Sequence, residues 1–343
     1  MKLKHLLFLA AWWLAGVHAA IAAPTFWLSD LGTAGTASAA LAINESGQAT
    51  GWVQTADGEQ PFVFAHGSVH LLKTPGTRGV GTGLNDAGQV VGFYAGGPHG
   101  EATRAFVYGH GTMVDLGTLG GSSSAASAIN NLGITVGTAY VRGDADYHAF
   151  AHAGGRMVDL GTLGGRKSVA TGLNNLGQIV GYATVRGETR AAGFIYSGRR
   201  MIDLGTLGGN YVDPRGINEA GVITGGSTLA GETEQHAFIW AHGVMTDIGT
   251  LGGNFAHGYA INNFGQIVGR SNTARLEDRA FYYENGRMFD LNTLLERGAA
   301  AGWTLLEAFD INDAGQIVGV GIHRGQPRAF LLTPLPPRSP LPR

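Results

Sequence analysis

The sequence predicts an all-β protein, a seven-bladed β-propeller of four-stranded blades. The main observation is a motif, Asn-x-x-Gly with a second Gly four residues further on, which occurs seven times at spacings of 41 to 50 residues. Glycine supplies 57 of the 343 residues, and only 14% of residues are charged. Four short strands in about 44 residues is the length of one propeller blade. The repeated asparagines are Asn44, Asn85, Asn130, Asn174, Asn218, Asn262 and Asn312.

Each repeat unit contains the signals for four strands. An apolar residue precedes the asparagine, whose side chain can accept a hydrogen bond from the backbone ahead of it, and the Gly suits a left-handed turn position. Gln178-Ile179-Val180-Gly181 then represents a second strand, and Phe194-Ile195-Tyr196 a third. A tight hairpin leads to a fourth strand, which ends in an Asp-Leu-Gly-Thr block such as the one at Asp203.

The two ends of the repeat array complement each other. Residues 26–33 represent a fourth strand with no third strand before it, whereas residues 329–332 represent a third strand with no fourth behind it. We therefore expect the N-terminal strand to complete the last blade and close the ring, with a single domain over residues 23–333. A β-solenoid is the structural alternative, but it gives no reason for the complementary ends. Residues 334–343 form a proline-rich segment, which predicts a disordered tail.

Composition and the N-terminus limit location and partners. Residues 1–22 combine lysines, a short apolar run and a small-x-small site, as in an export signal, with an uncleaved anchor as the alternative. Export predicts a periplasmic or extracellular protein. The net charge of −2 gives no basic surface for nucleic acid, and cysteine is absent. We expect a monomer with no membrane span after signal removal, no metal and no cofactor.

The repeated blocks resemble a known family. Asp-Leu-Gly-Thr-Leu-Gly-Gly and Asn-x-x-Gly-Gln-Ile-Val-Gly, with His148-Ala149-Phe150 and His236-Ala237-Phe238 between them, are similar to the HAF repeat family of bacterial proteins. The resemblance covers nearly all of the chain after residue 22. It implies an exported, extracellular repeat protein, and it implies no activity for particular residues.

The candidate ligand-binding residues lie before the third strands and in the variable loops that precede them. Basic residues next to the Ala-Phe pairs could recognise a carboxylate or sulfate on a polysaccharide, although pairing with local acidic residues is the alternative. The recurring aspartates, Asp115 and its equivalents, are expected to cap the following turn. We predict no catalytic residue. The predicted ligand-binding residues are Arg104, Asp144, Asp146, His148, Glu188, Arg190, Glu232, Glu234, His236, Arg279 and Arg328.

Three functions remain open. The first is a binding scaffold for a glycan or protein partner, which uses the face that bears the variable loops. The second is a propeller enzyme, a hydrolase or lyase acting on a carbohydrate or lactone. The third is a structural envelope or matrix protein. An enzyme should show inward carboxylates or histidines that break the repeat near the axis, whereas a binder should show a broad polar face.

Overall fold

The computed structural model describes residues 24–32, 35–76, 78–96, 102–188, 190–298 and 301–336. The predicted export signal lies outside these residues, as do residues 337–343 of the predicted tail. Pro334, the first residue of that tail, is the last residue of the final strand and pairs with Phe26. No helix in the described part of the chain has the length and apolar character needed to cross a membrane.

The predicted all-β class and the four-stranded sheets are confirmed. The first strand is β1 (Phe26–Asp30). Repeat unit 1 contains β2 (Ala37–Ile43), β3 (Ala49–Thr55), β4 (Gly58–Ala65) and β5 (Ser68–Leu71). Unit 2 contains β6 (Gly79–Leu84), β7 (Val90–Gly96), β8 (Ala102–Gly109) and β9 (Thr112–Asp115). Unit 3 contains β10 (Gly120–Ile129), β11 (Thr135–Val141), β12 (Tyr147–Ala153) and β13 (Arg156–Asp159).

The remaining units follow the same order. Unit 4 contains β14 (Gly164–Leu173), β15 (Ile179–Val185), β16 (Ala191–Ser197) and β17 (Arg200–Asp203). Unit 5 contains β18 (Gly208–Ile217), β19 (Ile223–Leu229), β20 (Gln235–Ala241) and β21 (Val244–Gly249). Unit 6 contains β22 (Gly252–Ile261), β23 (Ile267–Thr273), β24 (Asp278–Glu284) and β25 (Arg287–Asp290), with a 3-10 helix at Leu291–Leu294. Unit 7 contains β26 (Trp303–Ile311), β27 (Ile317–His323) and β28 (Gln326–Pro334).

Antiparallel pairing joins the strands of each unit in sequence order. Five sheets have four strands, and one has eight because a single parallel pair, Gln235 with Phe255, joins units 5 and 6. The sheet of unit 7 has the order β1-β28-β27-β26, so its fourth strand comes from the N-terminal part of the chain. In that sheet Trp27 pairs with Thr333.

The hydrophobic core lies between neighbouring sheets. The Phe of each third strand, the marker in the sequence pattern, is no more than 1% exposed. Phe150 of unit 3, for example, packs in one cluster with Val91 and Ala105 of unit 2, and Val318 of unit 7 packs with Ala40 of unit 1. Burial of one aromatic ring per unit therefore holds adjacent sheets face to face.

The turn prediction is also confirmed. The Gly of every Asn-x-x-Gly turn has a positive φ, for example 76° at Gly177. The asparagine side chain accepts a hydrogen bond from the backbone N–H four residues ahead, as Asn174 does from Gln178 at 3.0 Å. The same asparagine donates from Nδ2 to the backbone oxygen of the next unit's asparagine, Asn218 in this case, at 3.1 Å. This second role was not expected from the sequence.

The inter-unit hydrogen bonds continue through all seven asparagines. Asn44 donates to the backbone oxygen of Asn85, each later asparagine donates to the next, and Asn312 donates to the backbone oxygen of Asn44 at 3.0 Å. A single residue type thus forms the turn of its own unit and fixes the position of the neighbouring unit.

Candidate functional site

Residues of the first strands of all seven units line one open space, which we call the channel. Each first strand has a register shift near its end, and the residue that is left out of the pairing lines the channel. This bulged residue always lies three positions before the repeated asparagine, and we call its place the channel position. The channel residues are Leu41, Thr82, Ser127, Thr171, Arg215, Tyr259 and Phe309.

A glycine of the second strand makes room for each bulge. A Cβ on Gly181 would lie 1.9 Å from the backbone oxygen of Val169, and one on Gly269 would lie 2.0 Å from that of His257. Only glycine allows the two strands to approach this closely. The last Gly of the Gln-Ile-Val-Gly block is therefore required by the bulge that points a side chain into the channel.

One end of the channel opens into a cavity of about 480 Å³. Its wall includes Ala125 and Val169, five positions before the repeated asparagine, and Phe93 and Tyr182 of second strands. The beginnings of the first strands and the ends of the second strands lie at this end, so the loops between second and third strands surround the opening. We call this space the axial cavity.

The repeat breaks around the axial cavity. The position five residues before the repeated asparagine, which we call the inner position, carries Ala or Val in units 1 to 4. In units 5 to 7 it carries Asp213, His257 and Glu307 instead. The channel position changes in the same units, where Arg215, Tyr259 and Phe309 replace small, hydroxyl or aliphatic side chains. Three adjacent units thus carry ionisable or aromatic side chains at two positions that hold Ala, Val, Leu, Ser or Thr in the other four units.

Asp213 and Arg215 form an ion pair at the edge of the cavity. Asp213 Oδ2 accepts from Arg215 Nε at 2.9 Å and lies 2.8 Å from Nη2. The side chain of Asp213 is 3% exposed, whereas that of Arg215 is 46% exposed and faces the cavity. Desolvation of the guanidinium lowers the pKa of Arg215, but the charge of the Asp213 carboxylate and its hydrogen bond outweigh this effect. The pKa of Arg215 is therefore raised. Partial burial, followed by the Asp213 carboxylate, raises the pKa of the half-exposed Tyr211 to about 12.

His257 is buried behind this pair. Its Nε2 lies 3.1 Å from the backbone oxygen of Asp213, so Nε2 carries the hydrogen and donates it. Burial lowers the pKa of His257 to about 4, with the Asp213 carboxylate acting in the opposite direction. The ring is therefore neutral at physiological pH, and it positions the Asp213 backbone rather than adding charge.

Aromatic rings form the next part of the wall. The Tyr259 ring stacks on Phe309 with centroids 5.4 Å apart, and the centroid of the His257 ring lies 5.1 Å from that of Tyr259. The Tyr259 hydroxyl donates to Glu307 Oε2 at 3.2 Å, and burial followed by the Glu307 carboxylate raises the pKa of Tyr259. Arg270 Nη1 lies 3.4 Å from Glu307 and balances its charge.

The opposite end of the channel is formed by the Asn-x-x-Gly turns. The residue after each asparagine donates its N–H to the side chain of the equivalent residue in the next unit, as Asn131 does to Asn175 at 2.8 Å. Four of these seven residues are acidic, namely Glu45, Asp86, Glu219 and Asp313. Burial, followed by the charges of Asp313 and Asp86, raises the pKa of Glu45 despite a backbone hydrogen bond.

Asp310 is the exception at this end. It lies two positions before Asn312, where the other units carry Ala or Gly. Its Oδ2 accepts from the N–H of Ile43, in unit 1, at 2.9 Å, and its Oδ1 accepts from the N–H of Ile311. Burial raises the pKa of Asp310 to about 7.

Each sequence-predicted basic residue is paired with an aspartate, and the structure does not bring these basic residues together in one site. Each lies close to the recurring aspartate of its own sheet, and this is the local pairing that the sequence left open. The closest distances are 2.9 Å for Arg104 to Asp115, 2.7 Å for His148 to Asp159, 2.6 Å for Arg190 to Asp203, 2.8 Å for His236 to Asp247, 3.8 Å for Arg279 to Asp290 and 3.1 Å for Arg328 to Asp30.

The predicted acidic residues lie in the surrounding loops. Asp144 accepts from the N–H of Ser122, Glu232 from that of Asn210, and Asp146 pairs with Arg166 of the next unit. Glu188 occupies a turn position with a φ of 57°, and Glu234 lies 3.7 Å from His236. None of the eleven predicted residues is among the described residues that line the axial cavity. Their role in ligand binding stays a prediction.

The recurring aspartates have the predicted capping role. Asp159 Oδ1 accepts from the N–H of Gly161 at 2.7 Å, and the equivalent bond recurs at Asp30, Asp115, Asp203, Asp247 and Asp290 but not in unit 1, whose fourth strand ends at Leu71. Within the described residues, no group of three or more His, Cys, Asp or Glu side chains could hold a metal ion.

Sequence reasoning did not find the axial cavity, although a signal was present. Aligning the units on the repeated asparagine shows the changes at the inner and channel positions of units 5 to 7 directly. The predicted residues lie at positions that the units share and in the charged loops. The residues around the axial cavity are instead marked by the positions at which units 5 to 7 differ from units 1 to 4.

Comparison with solved structures supports the fold. The chain is similar to the β-propeller domain of the Trilobed protease from Pyrococcus furiosus, with a TM-score of 0.55, 8% identity, and coverage of 90% of this chain and 93% of that one. It is also similar to virginiamycin B lyase from Staphylococcus aureus, with a TM-score of 0.55, 10% identity, and coverage of 90% and 98%.

A third structural neighbour is the acylaminoacyl peptidase from Pyrococcus horikoshii, with a TM-score of 0.53 and 9% identity. The match covers 89% of this chain and 52% of the peptidase chain. No protein-family model matches the sequence, and no curated protein matches it either. At these identities the neighbours establish a β-propeller fold and say nothing about activity.

Proposed function

We propose that the protein is a closed seven-bladed β-propeller that binds a ligand, a glycan or another extracellular molecule, in its axial cavity. The observation that carries the binding function is the break in the repeat. Ionisable and aromatic side chains replace small or aliphatic ones at the inner and channel positions of three adjacent units, and they do so beside a cavity of about 480 Å³. Cavities of roughly 300–1,000 Å³ with a few polar groups are typical of ligand sites.

Two contacts support seven blades and closure. The pairing of β1 with β28 supplies a fourth strand to the last unit, and the hydrogen bond from Asn312 to Asn44 links the last unit to the first. Closure of this kind removes the exposed sheet edges at the two ends of the array. A disulfide test is simple because the chain has no cysteine. Trp27→Cys with Thr333→Cys should form an intramolecular crosslink, whereas Trp27→Cys with Val158→Cys should not.

Membership of the HAF repeat family and export to the periplasm or the cell exterior are also proposals. The repeated blocks and the character of residues 1–22 support them. Expression of the full chain in a Gram-negative host should yield a periplasmic or secreted product that lacks the first 22 residues. A full-length product that stays in the cytoplasm would contradict export.

The binding function is tested with a glycan array on the purified protein and on two sets of variants. Tyr259→Ala and Phe309→Ala should abolish the signals, because these rings form the cavity wall. Asp144→Ala and Glu232→Ala should leave them unchanged if the cavity is the site. The opposite pattern would move the site to the loops, as the sequence predicts, and an array without signals would contradict glycan binding.

An enzyme remains the second candidate, because Asp213, His257 and Glu307 are the inward carboxylates and histidine that would mark one. However, His257 is 6% exposed and Asp213 is 2% exposed, and neither lines the cavity. The geometry therefore supports binding better than turnover. A panel of glycosides and lactones tests the alternative, and turnover that disappears in Glu307→Gln would establish it.

A further inference from the structure

Among the described residues that line the axial cavity, Arg215 is the only one with a charged side chain. The carboxylate that neutralises it, Asp213, is almost fully buried behind it. The other carboxylate nearby, Glu307, is held by Tyr259 and Arg270 and does not line the cavity. A ligand entering the cavity therefore meets the guanidinium of Arg215 before it meets any carboxylate.

The guanidinium has donor capacity left. Nε and Nη2 both contact Asp213 Oδ2, and no described residue accepts a hydrogen bond from Nη1. Asp213 thus holds one edge of the planar group and fixes its orientation. Two adjacent N–H groups on a fixed guanidinium edge match the two oxygens of a carboxylate.

The rest of the described wall carries hydroxyl groups and no anionic side chain. The hydroxyls of Thr82 and Thr171 donate to the backbone oxygens of Ala126 and Pro214 at 2.8 and 2.6 Å. No carboxylate or amide side chain is among the described residues that line the cavity. The Thr82 and Thr171 oxygens keep lone pairs that can accept hydrogen bonds from a ligand. A carboxylate, in addition, would meet the fixed guanidinium with no anionic side chain beside it on the described wall.

The shape of the wall favours a ring. Tyr259 and Phe309 stack on each other at an interplanar angle of 28°, and both rings line the cavity together with Arg215. Phe93 and Tyr182 line the same cavity. Such surfaces stack on sugar rings and on aromatic rings alike. We infer that the axial cavity recognises a carboxylate carried on a six-membered ring, with Arg215 binding the carboxylate, Tyr259 and Phe309 contacting the ring, and Asp213 positioning Arg215.

This inference rests on the proposed binding function, and matched ligand pairs separate the two. Glucuronate with glucose, and benzoate with benzyl alcohol, each compare an acid with a neutral ring. Isothermal titration should show at least a tenfold preference of the wild-type protein for one acid over its neutral partner. A preference within the glucuronate and glucose pair would identify the ligand as a sugar acid, and a preference within the benzoate and benzyl alcohol pair would identify it as an aromatic acid.

The variants test the role of Arg215 without leaving a buried charge unpaired. Asp213→Asn with Arg215→Met keeps the site neutral and should lose the preference for the acid while the melting temperature stays close to that of wild type. Ser127→Ala, at the same channel position on the opposite side, should keep the preference. Arg215→Lys should retain part of it, because a lysine keeps the charge and loses the planar fork.

Three results would overturn the inference. They are equal affinity for the acid and neutral members of both pairs, a preference that survives in the double variant, and no binding of any of the four ligands. Glucose binding as tight as glucuronate binding, with no preference between benzoate and benzyl alcohol, would overturn the carboxylate preference, and its loss in Phe309→Ala would leave the proposed function standing. A glycan array without signals, together with no binding of any of the four ligands, would contradict both this inference and the proposed binding function.

Discussion

At the turn end of the channel, all seven units carry the same asparagine making the same two contacts, whereas at the cavity end the units differ. Asn174 and Asn312 have equivalent partners although they belong to different parts of the chain. Val169 and Asp213 occupy equivalent inner positions with opposite chemistry. The difference shows that a position repeated in every unit is held by the fold, while a position free to vary from unit to unit is available for a ligand.

The largest effect is expected at a repeated glycine. Gly181→Ala would place a Cβ within contact distance of the Val169 backbone oxygen and should lower the free energy of unfolding by about 3 kcal/mol, because the bulge cannot form without backbone movement. Gly177→Ala is the control, since its Cβ would meet nothing within 4 Å and only its positive φ of 76° resists the change. It should cost about 1 kcal/mol in urea denaturation. Equal losses would show that the bulge is not responsible.

The repeated asparagine should have the next largest effect. Asn174→Ala removes the acceptor for Gln178 N–H, which is left without a partner, and one of the two donors to Asn218 O, which keeps the N–H of Gly221. We expect a loss of about 2–4 kcal/mol in the free energy of unfolding. Leu176→Ala, in the same turn and 71% exposed, should change it by less than about 0.5 kcal/mol. An Asn174→Ala protein as stable as wild type would show that the repeated asparagine does not stabilise the turn end.

Asp310 interrupts a repeated position and should make stability depend on pH. Its folded pKa of about 7 lies above the unfolded value of 3.8, so the folded protein holds the proton more tightly. Stability from this group is therefore present at low pH and is lost as pH rises from about 4 to 7. Asp310→Asn should gain about 3 kcal/mol relative to wild type between pH 5 and pH 8 in urea denaturation, because each pH unit below the folded pKa is worth about 1.4 kcal/mol. The same difference at both pH values would contradict this assignment.

The smallest effect on stability is expected at a variable channel position. Ser127 lines the cavity and has no hydrogen-bond partner among the described residues, so Ser127→Ala should change the free energy of unfolding by less than about 0.5 kcal/mol. The equivalent position in unit 4 provides a graded comparison. Thr171→Val loses the hydrogen bond to Pro214 O and should cost about 1 kcal/mol. A large loss in the free energy of unfolding of Ser127→Ala would show that a variable channel position also supports the fold, which would contradict the difference between the two ends.

The candidate site could be predicted only in part. The loops that surround the cavity and the basic residues before the third strands were found from charge and spacing, and the structure brings six of these residues to the aspartates of their own sheets. Such pairs form across neighbouring strands, so their partners lie eleven or more residues away in sequence. Arg215 and Tyr259 were missed because each looks like an ordinary strand residue until the bulge turns it into the channel.

The sequence by itself determined the repeat, the four strands of each unit and the turns between them. These depend on contacts over a few residues, as in Asn174 to Gln178, and on the conformational freedom of glycine at Gly177. The tertiary structure decided which residues share a surface. The bond from Asn312 to Asn44 and the grouping of Asp213, His257 and Glu307 arise only when units distant in sequence are arranged about one channel, because each unit contributes a single first strand to it.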